Sequence, residues 1–353
     1  MRRINVDKLK ADMVLAKPIY TQRGVILLKE GTVLTTLFIE KVKSVEVDHI
    51  YISDALSEGI QIDDMISDAV RQETESMLHK SMEKMHEGYF VTTNSVLEKV
   101  EKIITEVINN PHVMISIQQI RNRDAYAYEH AINVCVLSLL IGKKMAYNDA
   151  QLKHLALGAV LHDVGKTQLE DDWLRYREQY TEAEKKIYRQ HVRHGYEVIK
   201  NMPNASLLAA NIALTHHEHY DGTGFPLGKK NTSIHEFARI VAVANEYDNL
   251  LFNRPSNLPM RHYEIIELIV SRAYTWFDPE VVKIFSKSIS PYPVSTGVVL
   301  SDGRVALVAK LNNNYPTRPI VRVYNEDTME VIEEVDLSKA LNLMIVDEKE
   351  VDK

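Results

Sequence analysis

The sequence predicts a mainly α-helical protein with a small β-rich segment at each end. Three observations carry this expectation. Between residues 57 and 290, apolar side chains recur three or four positions apart, as in Leu78, Met82 and Met85 and in Val96, Val100, Ile103 and Val107. Runs rich in β-branched residues and bounded by turn residues are confined to the two ends. Histidines crowd into the helical middle, where eight of 14 fall between His130 and His219.

The elements follow in chain order. In residues 1–56, Arg23-Gly24 leads into the strand-like Val25-Ile26-Leu27-Leu28, a short helix contains Phe38 to Val42, and His49-Ile50-Tyr51-Ile52 closes the segment, giving a small β-rich N-terminal module. Residues 57–110 lack proline and carry helical spacing, which predicts a helical connector suited to binding a partner. Residues 111–290 read as helices separated by loops at 162–172, 221–233 and 253–259. In 291–353 the strand pattern returns with Val298-Val299-Leu300, a Ser301-Asp302-Gly303-Arg304 turn, Val305 to Leu311 and Ile320 to Tyr324, a small β appendage.

Composition bounds what such a chain can do. With 353 residues, 45% hydrophobic and 26% charged, it is long enough for two or three globular units and is not biased toward disorder. The single cysteine, Cys135, lies in the apolar run Val134 to Ile141, so no disulfide framework exists and a reducing cytoplasm is expected. Met1 to Asn5 is followed by Asp7, Lys8 and Lys10 rather than by the apolar core of a signal peptide. The longest apolar runs fall far short of the roughly 18 residues a spanning helix needs, so no membrane insertion is expected. A net charge of -7 argues against binding a nucleic acid polymer, which requires a cationic surface, but leaves room for a small anion in a local pocket.

Two stretches carry chemistry. Leu161-His162-Asp163-Val164-Gly165-Lys166 follows an apolar helix, and a histidine beside an aspartate offers nitrogen and oxygen ligands together, with a carboxylate able to bridge two cations. His216-His217-Glu218-His219-Tyr220-Asp221-Gly222-Thr223-Gly224-Phe225-Pro226 places two adjacent histidines before a tight turn. Neighbouring side chains on a helix diverge by about 100°, so packing on one apolar stripe does not account for the pair. Ligand positions in several directions would. Glu218 could orient an imidazole from behind, and Asp221 could cap the turn.

Taken in order, these residues resemble the HD-GYP family, the bacterial branch of the HD metal-dependent phosphohydrolases. The match comprises His130 in Tyr128-Glu129-His130-Ala131, His162-Asp163 with Gly165-Lys166, His191 in Gln190-His191-Val192-Arg193-His194-Gly195, and the 216–226 stretch, over about 180 residues. The resemblance implies an all-helical domain around two or three ions and hydrolysis of cyclic di-GMP to pGpG or GMP in second-messenger signalling. By the same resemblance the metal ligands are His130, His162, Asp163 as the bridge, His191, His216, His217 and Asn245, with Asp248 close behind. Lys166 would donate to a substrate phosphate oxygen, and Arg254, Gly224, Phe225 and Pro226 would contact substrate.

Four positions depart from the family pattern. Phe225 replaces the tyrosine of the family's name. Tyr126 stands where some relatives carry a glutamate for a third metal, so two divalent ions are implied, iron or manganese first, with zinc, magnesium, nickel and cobalt also compatible with the donor set. Asn245 replaces an aspartate ligand and brings no negative charge. Asn257 replaces a basic residue three positions after Arg254, and Lys229 and Lys230 are the nearby cations that could compensate. These departures keep two alternatives open beside the cyclic di-GMP phosphodiesterase: a binding module that turns substrate over slowly, and a phosphohydrolase for another nucleotide or phosphoester. A homodimer contact or signalling partner would use the N-terminal module and the connector.

Overall fold

The computed structural model describes residues 1–20, 26–44, 47, 49–62, 64–89, 91–110, 126–169, 181–252 and 260–351. It divides into two compact units, one made of Met1–Asp64, His112–Ala125 and Ile289–Lys353, the other of Met65–Pro111 and Tyr126–Ser288.

The first unit is β-rich. Strands β1 (Arg2–Asn5), β2 (Val14–Leu15), β3 (Ile19–Tyr20) and β4 (Ile26–Leu28) precede helix α1 (Thr36–Lys43) and β5 (His49–Ser53). β5 lies between β1 and β2, antiparallel to both, with Arg2 opposite Ile52 and Val14 opposite Ser53. Ile4, Leu15, Ile19, Val42, Ile50 and Ile52 fill the space beneath α1.

The second unit is helical. Helix α2 (Asp68–His86) and α3 (Thr93–Asn109) bury the stripes read from the sequence: Leu78, Met82 and Met85 on α2, and Val96, Val100, Ile103 and Val107 on α3. Both pack on α4 (Tyr126–Lys144), and α3 also packs on α5 (Asp149–Val160). Helix α4 is buried without interruption from Glu129 to Gly142, so it is apolar nearly all round and forms the axis of the unit. The unit also contains α6 (Glu182–Tyr188), α7 (His191–Lys200), α8 (Leu207–Thr215), α9 (Glu236–Phe252), α10 (His262–Ser271) and α11 (Pro279–Ser286), of which α9 and α11 pack on α4, α8 packs on α5 and α9, and α7 packs on α8. Their starts follow local chemistry. Asn148 and Gln151 form a reciprocal cap on α5, Thr181 and Glu184 do the same on α6, and Asp278 caps α11 with Pro279 in its first turn.

The C-terminal strands β6 (Gly297–Leu300), β7 (Val305–Lys310), β8 (Ile320–Tyr324), β9 (Val331–Asp336) and β10 (Ile345–Glu348) form an antiparallel sheet in the order β10-β6-β7-β8-β9. This sheet belongs to the same unit as the N-terminal strands. Tyr51, Leu56 and Ile60 share one apolar cluster with Val294, Leu307, Tyr324 and Val351. Arg2, 1% exposed, donates to Asp54 and to the Val351 carbonyl, which compensates the burial of its charge.

Two divisions expected from the sequence therefore differ from the observed ones. The residues read as a separate N-terminal module and C-terminal appendage share a core, and most of the stretch read as a connector is built into the helical unit. The reason is the same in both cases. Besides any core of its own, each segment carries an apolar face, and covering that face joins it to a distant part of the chain.

Close approach of elements also fixes one glycine. At Gly165 a Cβ would run into the His191 carbonyl oxygen and the Gly195 amide, both backbone atoms that cannot swing aside. Gly165→Ala should therefore lower stability by about 1–3 kcal/mol, read as a reduced urea midpoint with an unchanged m-value.

Candidate metal centre

Four segments of the helical unit converge on one carboxylate. His130 comes from α4, His162 and Asp163 from the end of α5, His191 from the first position of α7, and His216-His217 from the end of α8. Asp163 Oδ2 lies 3.3 Å from His162 Nε2 and 3.8 Å from His130 Nε2. Its other oxygen, Oδ1, lies 3.3 Å from His191 Nε2 and 3.8 Å from His216 Nε2. The side chains thus form two ligand groups, one of His130, His162 and Asp163, the other of Asp163, His191, His216 and His217, with the ligand atoms of each group within 4.8 Å of one another.

The imidazoles are aimed from behind. His162 Nδ1 contacts the Ala159 carbonyl at 2.7 Å, His191 Nδ1 the Tyr188 carbonyl at 2.6 Å, and His216 Nδ1 the Ala213 carbonyl at 3.0 Å. A carbonyl only accepts, so each Nδ1 carries the proton and each Nε2 presents a lone pair inward. His130 Nδ1 meets Asp248 Oδ2 at 2.7 Å, which assigns the same tautomer. Burial pushes the ring of His191 down to about 4, and those of His130, His216 and His217 also below the ordinary imidazole value, so the lone pairs stay free at neutral pH. Burial alone would raise the Asp163 carboxyl, but the Lys166 ammonium and the surrounding imidazoles outweigh it and hold the group well below the usual carboxylate range.

The donor set fits divalent transition metals. His162 Nε2, His191 Nε2, His216 Nε2 and Asp163 Oδ1 are buried with no hydrogen-bond partner. Buried polar atoms without partners cost about 1–3 kcal/mol each, and four of them facing one another would be satisfied by bound metal. Imidazole nitrogen with carboxylate oxygen suits iron, manganese and zinc alike.

The remaining residues singled out in the sequence fall in distinct places. Lys166 sits in a short 3-10 helix (Val164–Gln168), its Nζ 2.5 Å from Asp163 Oδ2 and over the Tyr188 ring at 5.2 Å. Gly224 is pressed against the backbone of His217 to His219, and the Phe225 amide donates to the His217 carbonyl at 3.1 Å, so the Phe225 ring stacks on His217 at 4.7 Å with Pro226 following. Asp221 accepts from the amide and hydroxyl of Thr223, a turn cap. Arg254 and Asn257 lie outside the described residues.

Glu218 corrects an expectation. Its carboxylate does not support an imidazole. It accepts the amides of Leu227 at 2.6 Å and Lys229 at 2.9 Å, because a buried carboxylate at a folded-back loop is satisfied by the nearest unpaired backbone donors. Asn245, 5% exposed, uses its amide oxygen to accept from Asn249 at 3.0 Å, and Asn249 in turn accepts from the Tyr126 hydroxyl at 2.9 Å. The two departures at Tyr126 and Asn245 are thus linked through Asn249 by hydrogen bonds.

Sequence reading missed Asn133 and Arg71. Arg71 of α2 donates to Asn133 Oδ1 at 3.0 Å, and Asn133 Nδ2 donates to Asp248 Oδ1 at 3.1 Å, which completes the support of His130. A polar asparagine within the largely apolar run from Ala131 to Ile141 was the available signal.

A sequence model described as an HD domain matches residues 113–281. That stretch of the chain is similar to HD domains. A second model, a KOW domain associated with the HD domain, matches 297–352. Among curated relatives, the cyclic di-GMP phosphodiesterase PA4108 of Pseudomonas aeruginosa is 29% identical over 240 residues, covering 67% of this chain and 57% of its own. A cyclic di-GMP phosphodiesterase of Thermotoga maritima is 32% identical over 207 residues, 58% of this chain and 53% of its own. The chain thus spans little more than half the length of these relatives. The fold also matches Bd1817, an HDG"Y"P protein from Bdellovibrio bacteriovorus, with a TM-score of 0.54 at 16% identity over 80% of this chain and 97% of that one.

Two outcomes follow from the geometry. Asp248→Ala frees the His130 ring and should weaken metal affinity by about 10- to 100-fold, measured by titrating metal into chelator-treated protein. The pH dependence follows from the depressed imidazoles: the unfolded chain takes up protons below about 6.5 that the folded chain refuses until about 4 at His191. Stability of the chelator-treated protein should therefore be full above pH 6.5 and fall toward pH 4, with His191 alone accounting for about 3 kcal/mol, as read from urea unfolding across that range.

Proposed function

We propose that the chain is a metal-dependent phosphodiesterase that hydrolyses cyclic di-GMP to pGpG, GMP or both, with two divalent ions at the Asp163 centre. The observation that supports this best is the division of Asp163, whose two oxygens face separate histidine groups as a bridging carboxylate requires. His130, His162 and Asp163 would hold one ion, and Asp163, His191, His216 and His217 the other. Bound there, a pair of divalent ions supplies an acidified water and stabilises the attacking and leaving oxygens of an in-line displacement.

The chain's own residues orient the reactants. Burial opposes the charge on Lys166, but the Asp163 carboxylate more than offsets it, so the ammonium stays protonated at the edge of the ligand cluster. There it would donate to a non-bridging phosphate oxygen as negative charge builds. Gly224, Phe225 and Pro226 would form the rim on the His217 side, and Arg254 a further phosphate contact. The substrate class rests on relatives such as the two named cyclic di-GMP phosphodiesterases. A Vibrio cholerae relative, 28% identical over 171 residues, is named a 3'3'-cGAMP-specific phosphodiesterase, which suits a metal centre that handles phosphate while the rim discriminates the base.

A second reading, a cyclic dinucleotide binder with slow turnover, is favoured by Asn245. Its amide carries no charge and its oxygen is already engaged by Asn249. Anaerobically purified protein of known metal content, incubated with cyclic di-GMP, cyclic di-AMP, 3'3'-cGAMP and bis(p-nitrophenyl) phosphate, separates the readings by chromatography of the products. Hydrolysis of cyclic di-GMP is expected. Tight binding without product would favour the second reading, and cleavage of the generic diester alone a different phosphohydrolase. In the same assay Asp163→Ala should lose metal and activity together, whereas Lys166→Ala should keep metal and slow turnover about 100-fold. Equal loss of metal in both variants would overturn the role given to Lys166.

A further inference from the structure

Beside the ligand cluster stands a cation that no reading so far has used. Arg189 caps the C-terminal end of α6, two residues before His191, and its side chain is exposed. Its guanidinium lies over the Phe225 ring, 5.0 Å from the centroid. Phe225 stacks in turn on His217, 4.7 Å away with the planes 18° apart. Arg189, Phe225 and His217 thus form a continuous stack that leads from solvent to a member of the metal-ligand groups. Among the described residues the Arg189 guanidinium makes no hydrogen bond and no ion pair. The preceding residue, Tyr188, faces inward instead: its ring contacts His191 at 4.7 Å and lies beneath the Lys166 ammonium.

We propose that Arg189 is a substrate-binding residue that receives the second phosphodiester of a cyclic dinucleotide, the one not being cleaved. This rests on the phosphodiesterase reading above and adds a residue and a specificity to it. A guanidinium stacked on a ring has one face occupied and its N–H edges free, and those edges match two phosphate oxygens. The ring restricts the side chain before substrate arrives, so less freedom is lost on binding. A tyrosine at 225 would bring a hydroxyl to the same rim. The phenylalanine leaves the ring face as its means of contact. Substrates with two phosphates therefore gain from Arg189, and simple diesters with one do not.

The test compares wild type with Arg189→Ala, Arg189→Lys and a control, Arg193→Ala, which removes the same charge from an exposed position two residues beyond His191 where, among the described residues, no ring is stacked. Two quantities are measured on metal-loaded protein: the equilibrium Kd for cyclic di-GMP, and the ratio of kcat/KM for cyclic di-GMP to that for bis(p-nitrophenyl) phosphate. In Arg189→Ala, Kd and KM for cyclic di-GMP should rise about tenfold or more and the ratio should fall by a similar factor, with metal content equal to wild type. Arg189→Lys should recover only part of the loss, because a point charge replaces the fork, and Arg193→Ala should match wild type. If wild type cleaves cyclic di-GMP and Arg189→Ala leaves Kd and ratio unchanged, the inference is wrong and the phosphodiesterase reading stands. If wild type binds without cleaving, the phosphodiesterase reading fails, and a loss of affinity in Arg189→Ala still supports the contact. If wild type neither binds nor cleaves cyclic di-GMP, both fail.

Discussion

The helical unit is organised around the burial of one carboxylate among imidazoles. Asp163 is 12% exposed and touches His130, His162, His191 and His216 as well as Lys166, so five side chains from several segments must arrive within a few ångströms of two oxygens. Removed from water, an unpaired carboxylate would be strongly unfavourable, and so would the buried ring nitrogens that face it. Each group makes the burial of the others tolerable. Positive charge at Lys166 offsets part of the negative charge, and the lone pairs of neutral imidazoles leave the rest to be met by cations.

Because lone pairs have direction, the centre also constrains the backbone around it. The carbonyls of Ala159, Tyr188 and Ala213 each hold an Nδ1 proton, which ties the ends of α5, α6 and α8 to particular ring orientations. Those carbonyls lie in terminal turns, where carbonyls lack an intrahelical partner or have one to share. A helix end thus serves twice, as a stop for the element and as a support for a ligand. His130 is the exception. It projects from the second turn of α4 rather than from beyond a helix end, and is held by a side-chain carboxylate, Asp248, which is held by Asn133 and beyond it Arg71.

The rim is built on different principles. Loop 216–226 folds back on itself so tightly that Gly224 has no space for a side chain, and Glu218 closes the following turn by accepting two amides. The effect is to press Phe225 onto His217 and so to set an apolar wall beside polar ligands. Such a wall excludes water on one side and strengthens the electrostatic interactions next to it. Under the proposed function, substrate preference would then be decided on the rim, by residues outside the two ligand groups.

The sequence by itself determined the helical class, the position of the strands with strong β patterns, and the His162-Asp163 and His216-His217 pairs as places of chemistry. Each of these is a local property: periodicity, turn residues, or the donor atoms of adjacent side chains. Strands β9 and β10 were not legible, because both are edge strands with largely solvated side chains and neither shows the alternation of a half-buried strand. Nor was the role of Glu218, the chain from Arg71 to His130, or the joining of the two β segments around Tyr51 and Leu307. Only tertiary structure decided these, since a carboxylate takes whichever donors the fold leaves unpaired nearby, and an apolar face is covered by whichever segment the packing brings to it. Residue type says what a group can bond. Which partner it meets is a matter of distance, and distance between remote residues is set by the folded core.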